Sequence, residues 1–318
     1  MKAIVAHGHG GSEVLRYEEA PIPGIQEGEI LVKVYAVSVN HLEIKMVSQS
    51  ASAGGKKSFG FDLPWIPGFD FAGIVENPGD NTRGFKKGDK VYGNCNGGSY
   101  AEYLAVSAET VASRPGNLTF VEAASVPHVG ETAWQAVHTH GQLQAGQKVL
   151  IHGAAGAVGA FAVQFARLAG AEVYASVAGK DMEYVRKLGA SVAIDYETTD
   201  FATVAKEMDL VIVLVGGNTQ EKSYPVLKKG GRLVSTTMPV LEDLAREYGV
   251  NAIHMVIRQS GEDLRMIGRF IESGEVSTDV EIVYPLEDAP KAWDVLNRTD
   301  PALPQITRGK IVLEVAKG

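Results

Sequence analysis

A single cysteine, Cys95, stands in a chain of 318 residues. That excludes an intramolecular disulfide and any zinc site built from several thiolates. Long hydrophobic runs are missing too: the longest, residues 210–215, is far too short to cross a bilayer. The N-terminus opens on the strand-like Lys2-Ala3-Ile4-Val5 instead of a cleavable leader, so the expected location is cytoplasmic. Positive charge is scarce. Thirty Lys and Arg against 38 Asp and Glu leave a net charge of −8, which argues against nucleic acid as a general partner. A polyanionic ligand must then be drawn in by local positive charge, for which Lys180, Arg258 and Arg308 are candidates. There is no internal repeat, and the one low-complexity stretch, residues 48–57, reads as a mobile loop or a substrate lid.

What is present suits an α/β protein of two domains, since 318 residues are long for one core. In residues 1–121 apolar and polar positions alternate around residue 30 and at 73–75, 90–92 and 100–104, the pattern of half-buried antiparallel strands. From 122 to 260 the rhythm changes. Apolar strands near 149, 172, 192, 210 and 232 alternate with helices, as in a doubly wound parallel sheet. Residues 261–318 carry a helix (263–273), a strand (280–283), a helix (286–297) and a last strand (310–315), expected to return to the first domain. The second domain is thereby inserted into the first.

The most informative segment is Lys148-Val149-Leu150-Ile151-His152-Gly153-Ala154-Ala155-Gly156-Ala157-Val158-Gly159. An apolar strand runs into glycines at three-residue spacing and then into a helix whose apolar positions, Val158, Ala162, Phe165, Ala166 and Ala169, recur at three and four. Glycine lets the chain turn tightly and brings backbone close to a pyrophosphate, and the helix start presents N–H groups to the anion. Gly153, Ala154, Ala155, Gly156, Ala157 and Val158 are therefore expected to hold a dinucleotide.

Which dinucleotide is argued from the end of the next strand. A site for NAD usually places a carboxylate there for the ribose 2′-OH. This chain has Ala175-Ser176-Val177-Ala178-Gly179-Lys180 instead, a hydroxyl and an ammonium suited to a 2′-phosphate, so NADP is expected. Two alternatives stay open: a shift of the turn that brings Asp181 to the ribose, and a Lys180 that is merely solvated. Tyr196, after the following strand, faces either the adenosine or the core.

Taken in order, several segments resemble the medium-chain dehydrogenase/reductase superfamily. They are Val39-Asn40-His41-Leu42-Glu43-Ile44-Lys45, Pro64-Trp65-Ile66-Pro67-Gly68-Phe69-Asp70-Phe71-Ala72-Gly73, Gly98-Ser99-Tyr100-Ala101-Glu102-Tyr103, Gly130-Glu131-Thr132-Ala133-Trp134, the glycine turn, Lys229-Gly230-Gly231-Arg232-Leu233-Val234 and Arg308-Gly309-Lys310. The similarity covers nearly the whole chain and points to the zinc-independent quinone oxidoreductase and enone reductase branch. It implies a GroES-like β-barrel catalytic domain around a Rossmann domain, an active site in the cleft between them, and a homodimer. Zinc members carry a cysteine where Asn40 stands and a His-Glu pair where this chain has Phe69-Asp70, and a phenyl ring cannot ligate zinc. His138-Thr139-His140 is a poor substitute, two ligands with no third nearby.

The resemblance also implies the chemistry, hydride transfer to a quinone or an α,β-unsaturated carbonyl. Asn40 and Lys45 are the candidate donors to the acceptor oxygen, with Lys45 also able to deliver a proton if its surroundings lower its pKa. The alternative readings are a turn-capping Asn40 and a surface Lys45 paired with Glu43. Thr132, Val256, Arg258 and Arg308 are expected near the nicotinamide or the phosphates, though Thr132 also suits a helix cap and each arginine a surface ion pair. Val213 replaces the Asp usual in the family. Phe59, Phe61, Trp65 and Phe69 form either an aromatic wall for a flat substrate or ordinary core. A rival reading of the whole is a cofactor-binding member without turnover.

Overall fold

The computed structural model describes residues 1–49 and 61–317. The low-complexity stretch, read above as a mobile loop or a substrate lid, lies from residue 50 on outside the described residues, as does Phe59. The first part of the chain carries β1 (Lys2–Ala6), β2 (Leu15–Glu19), β3 (Glu29–Ser38), α1 (His41–Gln49), β4 (Asp70–Asn77), β5 (Lys90–Asn94), β6 (Tyr103–Ser107) and β7 (Val111–Ser113). Helices α2 (Phe120–Ala124) and α3 (Pro127–Trp134) lead through a π-helical turn, Gln135–His140, into the alternating region. There follow β8 (Lys148–His152), α4 (Ala157–Leu168), β9 (Glu172–Val177), α5 (Met182–Leu188), β10 (Val192–Asp195), α6 (Phe201–Val204) and β11 (Met208–Val213). Next come α7 (Thr219–Ser223), β12 (Leu227–Ser235), α8 (Glu242–Tyr248) and β13 (Asn251–His254). The last described elements are α9 (Gly261–Glu272), β14 (Val280–Pro285), α10 (Ala289–Asn297) and β15 (Lys310–Glu314).

These elements form two compact units. One comprises residues 1–128, 259–272 and 278–318; the other, 129–258 and 273–277. In the first, a seven-stranded sheet runs β14-β15-β3-β4-β5-β7 with β6 paired to β3. Its central strand β3 alternates half-buried and buried side chains over most of its length, which is why its pattern was readable as a strand. Trp293, Tyr100, Phe71 and Ile30 fill the core beneath it. The boundary drawn at 121/122 from sequence differs from the unit's limit at His128. Helix α2, closed by a capping box between Thr119 and Glu122, packs on β3 and β4 and stays with the first unit.

The second unit is built on six parallel strands in the order β10-β9-β8-β11-β12-β13. This is the doubly wound arrangement, whose strand order reverses at β8. Five of its strands were expected. The sixth, β13, is a short Asn-Ala-Ile-His stretch without a buried residue, so nothing in its composition marked it. Helix α4 is buried from Gly159 to Ala166, and Arg167 in its last turn suits the negative end of the helix dipole. Residues 273–277 return briefly to this unit, pinned to α4 where Gln164 pairs with both backbone groups of Ser277 at 2.8 and 3.0 Å.

Candidate active site

In the second unit the glycine turn lies at the carboxyl end of β8, at the point where the strand order reverses. Gly153 adopts φ +72°, which strains any residue with a side chain. A Cβ on Gly159 would stand 2.3 Å from the Gly153 carbonyl oxygen, so glycine there lets the helix press against the turn. Gly156 is the N-cap of α4 and gives no side-chain cap. A Cβ there would make only one ordinary contact, 3.4 Å to the Gly153 oxygen, so the space beside it is open. The first N–H groups of α4 have no intrahelical acceptors by the geometry of a helix. Ala154 and Ala155 lie in the turn, and Ala157 and Val158 are the first residues of α4.

Asp195 pairs with Val177, and the Tyr196 N–H donates to the Val177 carbonyl at 3.0 Å, so Tyr196 leaves the sheet beside the turn that carries Lys180. Tyr196 is 59% exposed, placing its ring on the surface and not in the core. Ser176 is the penultimate residue of β9, and its carbonyl accepts from the Ala154 N–H at 3.3 Å. Lys180 is exposed in the turn, whereas Asp181 is buried.

Thr132 is buried in the interior of α3, not at its start, so the helix-cap alternative does not apply. Val256 and Arg258 are exposed just beyond β13. Val213, at the carboxyl end of β11, is fully buried. His138 packs its ring against Trp134 at 4.1 Å, which accounts for its place in the fold. Arg308 belongs to the first unit, half-buried two residues before Lys310.

The first unit holds a buried polar network around Asn40. Asp70 Oδ2 accepts from Ser38 Oγ at 2.5 Å and from Asn40 Nδ2 at 2.9 Å, and its Oδ1 accepts from the His128 backbone N–H at 2.6 Å. Lys310 Nζ donates to Asn40 Oδ1 at 2.5 Å and to the Val39 carbonyl at 2.8 Å, and lies 3.8 Å from Asp70. Asp70 and Lys310 are both buried, so each ion is neutralised by the other and further satisfied by hydrogen bonds. Together they fix the Asn40 carboxamide in one orientation: oxygen toward the ammonium, nitrogen toward the carboxylate.

Glu43, one turn into α1, completes the network from the other side. Its Oε1 accepts from the Asn40 N–H at 2.6 Å and from the Tyr100 hydroxyl at 3.0 Å, while Oε2 is buried without a hydrogen-bond partner among the described residues. Burial, opposed by the Asn40 N–H and Lys310, pushes its carboxyl up to about 8. Burial also pulls Lys310 downward, against the attraction of Asp70 and Glu43. Glu43 therefore holds its proton at neutral pH, while Lys310 faces Asp70, which accepts three hydrogen bonds. Lys45 is exposed on the same helix and Glu43 fully buried, so the two do not form the surface pair that their spacing allowed.

Aromatic rings run beside this network. Phe61 stacks on Trp65 with centroids 4.4 Å apart, Trp65 meets Phe69 edge-on at 6.4 Å, and Phe69 lies 5.9 Å from His128. His128 itself was not singled out from sequence. Asn94 Oδ1 accepts from Gln259 at 3.2 Å, which leaves its Nδ2 to donate to His128 Nδ1 at 3.4 Å. The proton of a neutral ring then sits on Nε2, and burial lowers the pKa of His128. Asp70, Lys310 and Glu43 were missed as a network as well. Only their proximity in the fold gives them meaning.

Sequence and structure comparisons agree with this architecture. Residues 26–116 match the family model of the alcohol dehydrogenase GroES-like domain, and residues 188–313 that of the zinc-binding dehydrogenase. An NADPH-dependent alkenal/one oxidoreductase of Arabidopsis thaliana is 32% identical over 88% of this chain and 72% of its own. The quinone oxidoreductase of Coxiella burnetii superposes with a TM-score of 0.88 at 30% identity, covering 99% of both chains. That of Escherichia coli, solved with NADPH, gives 0.86 at 26% identity, covering 99% of this chain and all of the other. Fold and site define a dinucleotide-dependent oxidoreductase. The chain belongs to the medium-chain dehydrogenase/reductase family, among its quinone oxidoreductases and enone reductases.

Zinc, named in one of those descriptions, does not fit the residues present. Phe69 offers no ligand atom, and the Asn40 oxygen already accepts from an ammonium, which would repel a second cation. Among the described residues no group of three or more His, Cys, Asp or Glu is disposed to hold a metal. No helix among them is long and apolar enough to cross a membrane.

Proposed function

We propose that this protein is an NADPH-dependent, zinc-independent reductase of quinones or α,β-unsaturated carbonyls. The observation that carries the reading is the glycine turn at the carboxyl end of β8, with the open space beside Gly156 and the exposed Lys180 and Tyr196 at the ends of β9 and β10. Gly153, Ala154, Ala155, Gly156, Ala157 and Val158 hold the pyrophosphate, Ser176 and Lys180 the 2′-phosphate, and Tyr196 the adenine side. Thr132, Val256, Arg258 and Arg308 serve the remaining part of the cofactor. Relatives named for NADPH, and one solved with it, support the choice of dinucleotide.

When bound, NADPH supplies a hydride to an electrophilic carbon of the acceptor. The residues of this chain then stabilise the negative charge left on the acceptor oxygen. Asn40 donates one amide hydrogen to Asp70 and offers the other to that oxygen; its orientation is set in advance by Lys310 and Asp70, so none is lost to reorganisation. Lys45, exposed on α1, carries the proton that completes reduction of an enolate or a quinol anion. Phe61, Trp65 and Phe69 give a flat acceptor an apolar face. Zinc is not needed because a delocalised acceptor requires hydrogen-bond donors and not a Lewis acid. By the family resemblance the assembly is a homodimer.

The test is an absorbance assay at the NADPH band with a naphthoquinone and with an enone, run in parallel with NADH. Consumption of NADPH with at least one acceptor, and weaker consumption of NADH, is expected. Tight NADPH binding without turnover on either acceptor class would instead identify a cofactor-binding member that has lost the reaction.

A further inference from the structure

Gln135 makes a pair of hydrogen bonds to a backbone segment far along the chain. Its side chain is 3% exposed at the start of the π-helical turn. The carboxamide meets both backbone groups of Arg258: Nε2 donates to the Arg258 carbonyl at 2.6 Å, and the Arg258 N–H donates to Oε1 at 3.0 Å. That two-point contact imitates strand pairing and fixes the backbone at residue 258. At the other end of the same stretch, the Met255 N–H donates to the Ser235 carbonyl at 2.9 Å and its side chain is buried. Val256, held between these two anchors, is 77% exposed. Anchoring at both ends fixes where that apolar side chain stands.

The order of the strands says which part of the ligand. In open parallel sheets ligands lie across the carboxyl ends of the strands. Here β9 and β10 lead into the segments carrying Lys180 and Tyr196 on one side of the β8 turn, while β11, β12 and β13 lie on the other. A dinucleotide with its adenosine over the first pair and its pyrophosphate at β8 must extend its second half toward β13, where residues 255–258 leave the sheet.

We propose that Gln135 is a positioning residue that holds residues 255–258 so that Val256 bears on the nicotinamide half of the cofactor. The proposal rests on the reading of this protein as an NADPH enzyme. Gln164 supplies an internal control. It is equally buried and clamps Ser277 by the same two-point geometry, but serves a segment that presents no such exposed apolar side chain.

The experiment compares two ligands by calorimetry: NADPH, and 2′-phospho-ADP-ribose, which keeps the adenosine and pyrophosphate but lacks the nicotinamide. In Gln135→Leu, NADPH affinity should fall at least tenfold with a matching rise in KM for NADPH, while the fragment stays within twofold of the unaltered protein. Gln135→Glu retains the acceptor for the Arg258 N–H and should lose less. Gln164→Leu should leave both ligands within twofold. Thermal melting follows folding throughout, and should Gln135→Leu fail to fold, Gln135→Glu carries the same comparison. Equal weakening of both ligands, or unchanged NADPH affinity, would overturn the proposal. Failure of the unaltered protein to bind either ligand would overturn the underlying reading instead.

Discussion

Lys310 Nζ donates to Asn40 Oδ1 at 2.5 Å, which joins the last strand of the first unit to the loop entering α1 and sets the amide of Asn40 in one orientation. The ammonium is buried and balanced by Asp70, itself the acceptor of three hydrogen bonds. The fold is thus committed to this pair, because either ion left alone would be an uncompensated buried charge.

Lys310→Met should therefore destabilise the protein by about 3–5 kcal/mol, the range for removing one partner of a buried pair. The double variant Lys310→Met with Asp70→Asn should recover part of that loss, since no lone charge remains. Urea unfolding of the two single variants and the double variant gives the coupling directly.

Glu43 sets the alkaline limb of stability. Its folded pKa of about 8 lies above the ordinary value of 4.5, so between those values the native state holds a proton that the unfolded chain has released. The contribution is complete below about pH 4.5, falls progressively as pH rises between the two values and is lost above about 8. Glu43→Gln keeps an oxygen for the Asn40 N–H and Tyr100 and removes the titration. Unfolding midpoints at pH 6 and pH 8.5 should differ less in this variant than in the unaltered protein.

Two glycines of one turn should separate folding from ligand binding. Gly159→Ala forces a Cβ to 2.3 Å from the Gly153 oxygen and should lower the melting temperature markedly. Gly156→Ala meets only a 3.4 Å contact and should leave the melting temperature within a few degrees, while filling the space beside the helix start and weakening NADPH binding at least 100-fold. Thermal melting with and without NADPH reads both effects.

Lys180→Ala should cost roughly 10- to 100-fold in affinity for NADPH, the value of about 1.5–3 kcal/mol for a hydrogen bond to a charged group. Affinity for NADH should change little, because NADH has no 2′-phosphate for the ammonium to meet. Fluorescence titration with each dinucleotide measures the ratio.

The features of this protein that are legible in its sequence share one property: they are local. The strand, turn and helix around Gly153 lie within a few residues of one another, and the alternation of β3 is carried by its own side chains. The absent carboxylate after β9 was readable for the same reason. Strand β13 was not, since half of its four residues are polar and its place is given by pairing with β12. Lys310 reads as an ordinary strand start until the fold brings it to Asn40 and Asp70. Gln135 and Arg258 are likewise far apart in the chain, and a glutamine in a helical pattern carries no mark of what it clamps. Long-range polar pairing leaves no periodic trace.

Hydride reduction without metal, as proposed here, is checked by following NADPH oxidation with 1,4-naphthoquinone and an enone before and after exhaustive chelation. Turnover with at least one acceptor is expected, undiminished by chelation and not increased by added zinc. Turnover that vanishes on chelation and returns with zinc would contradict it.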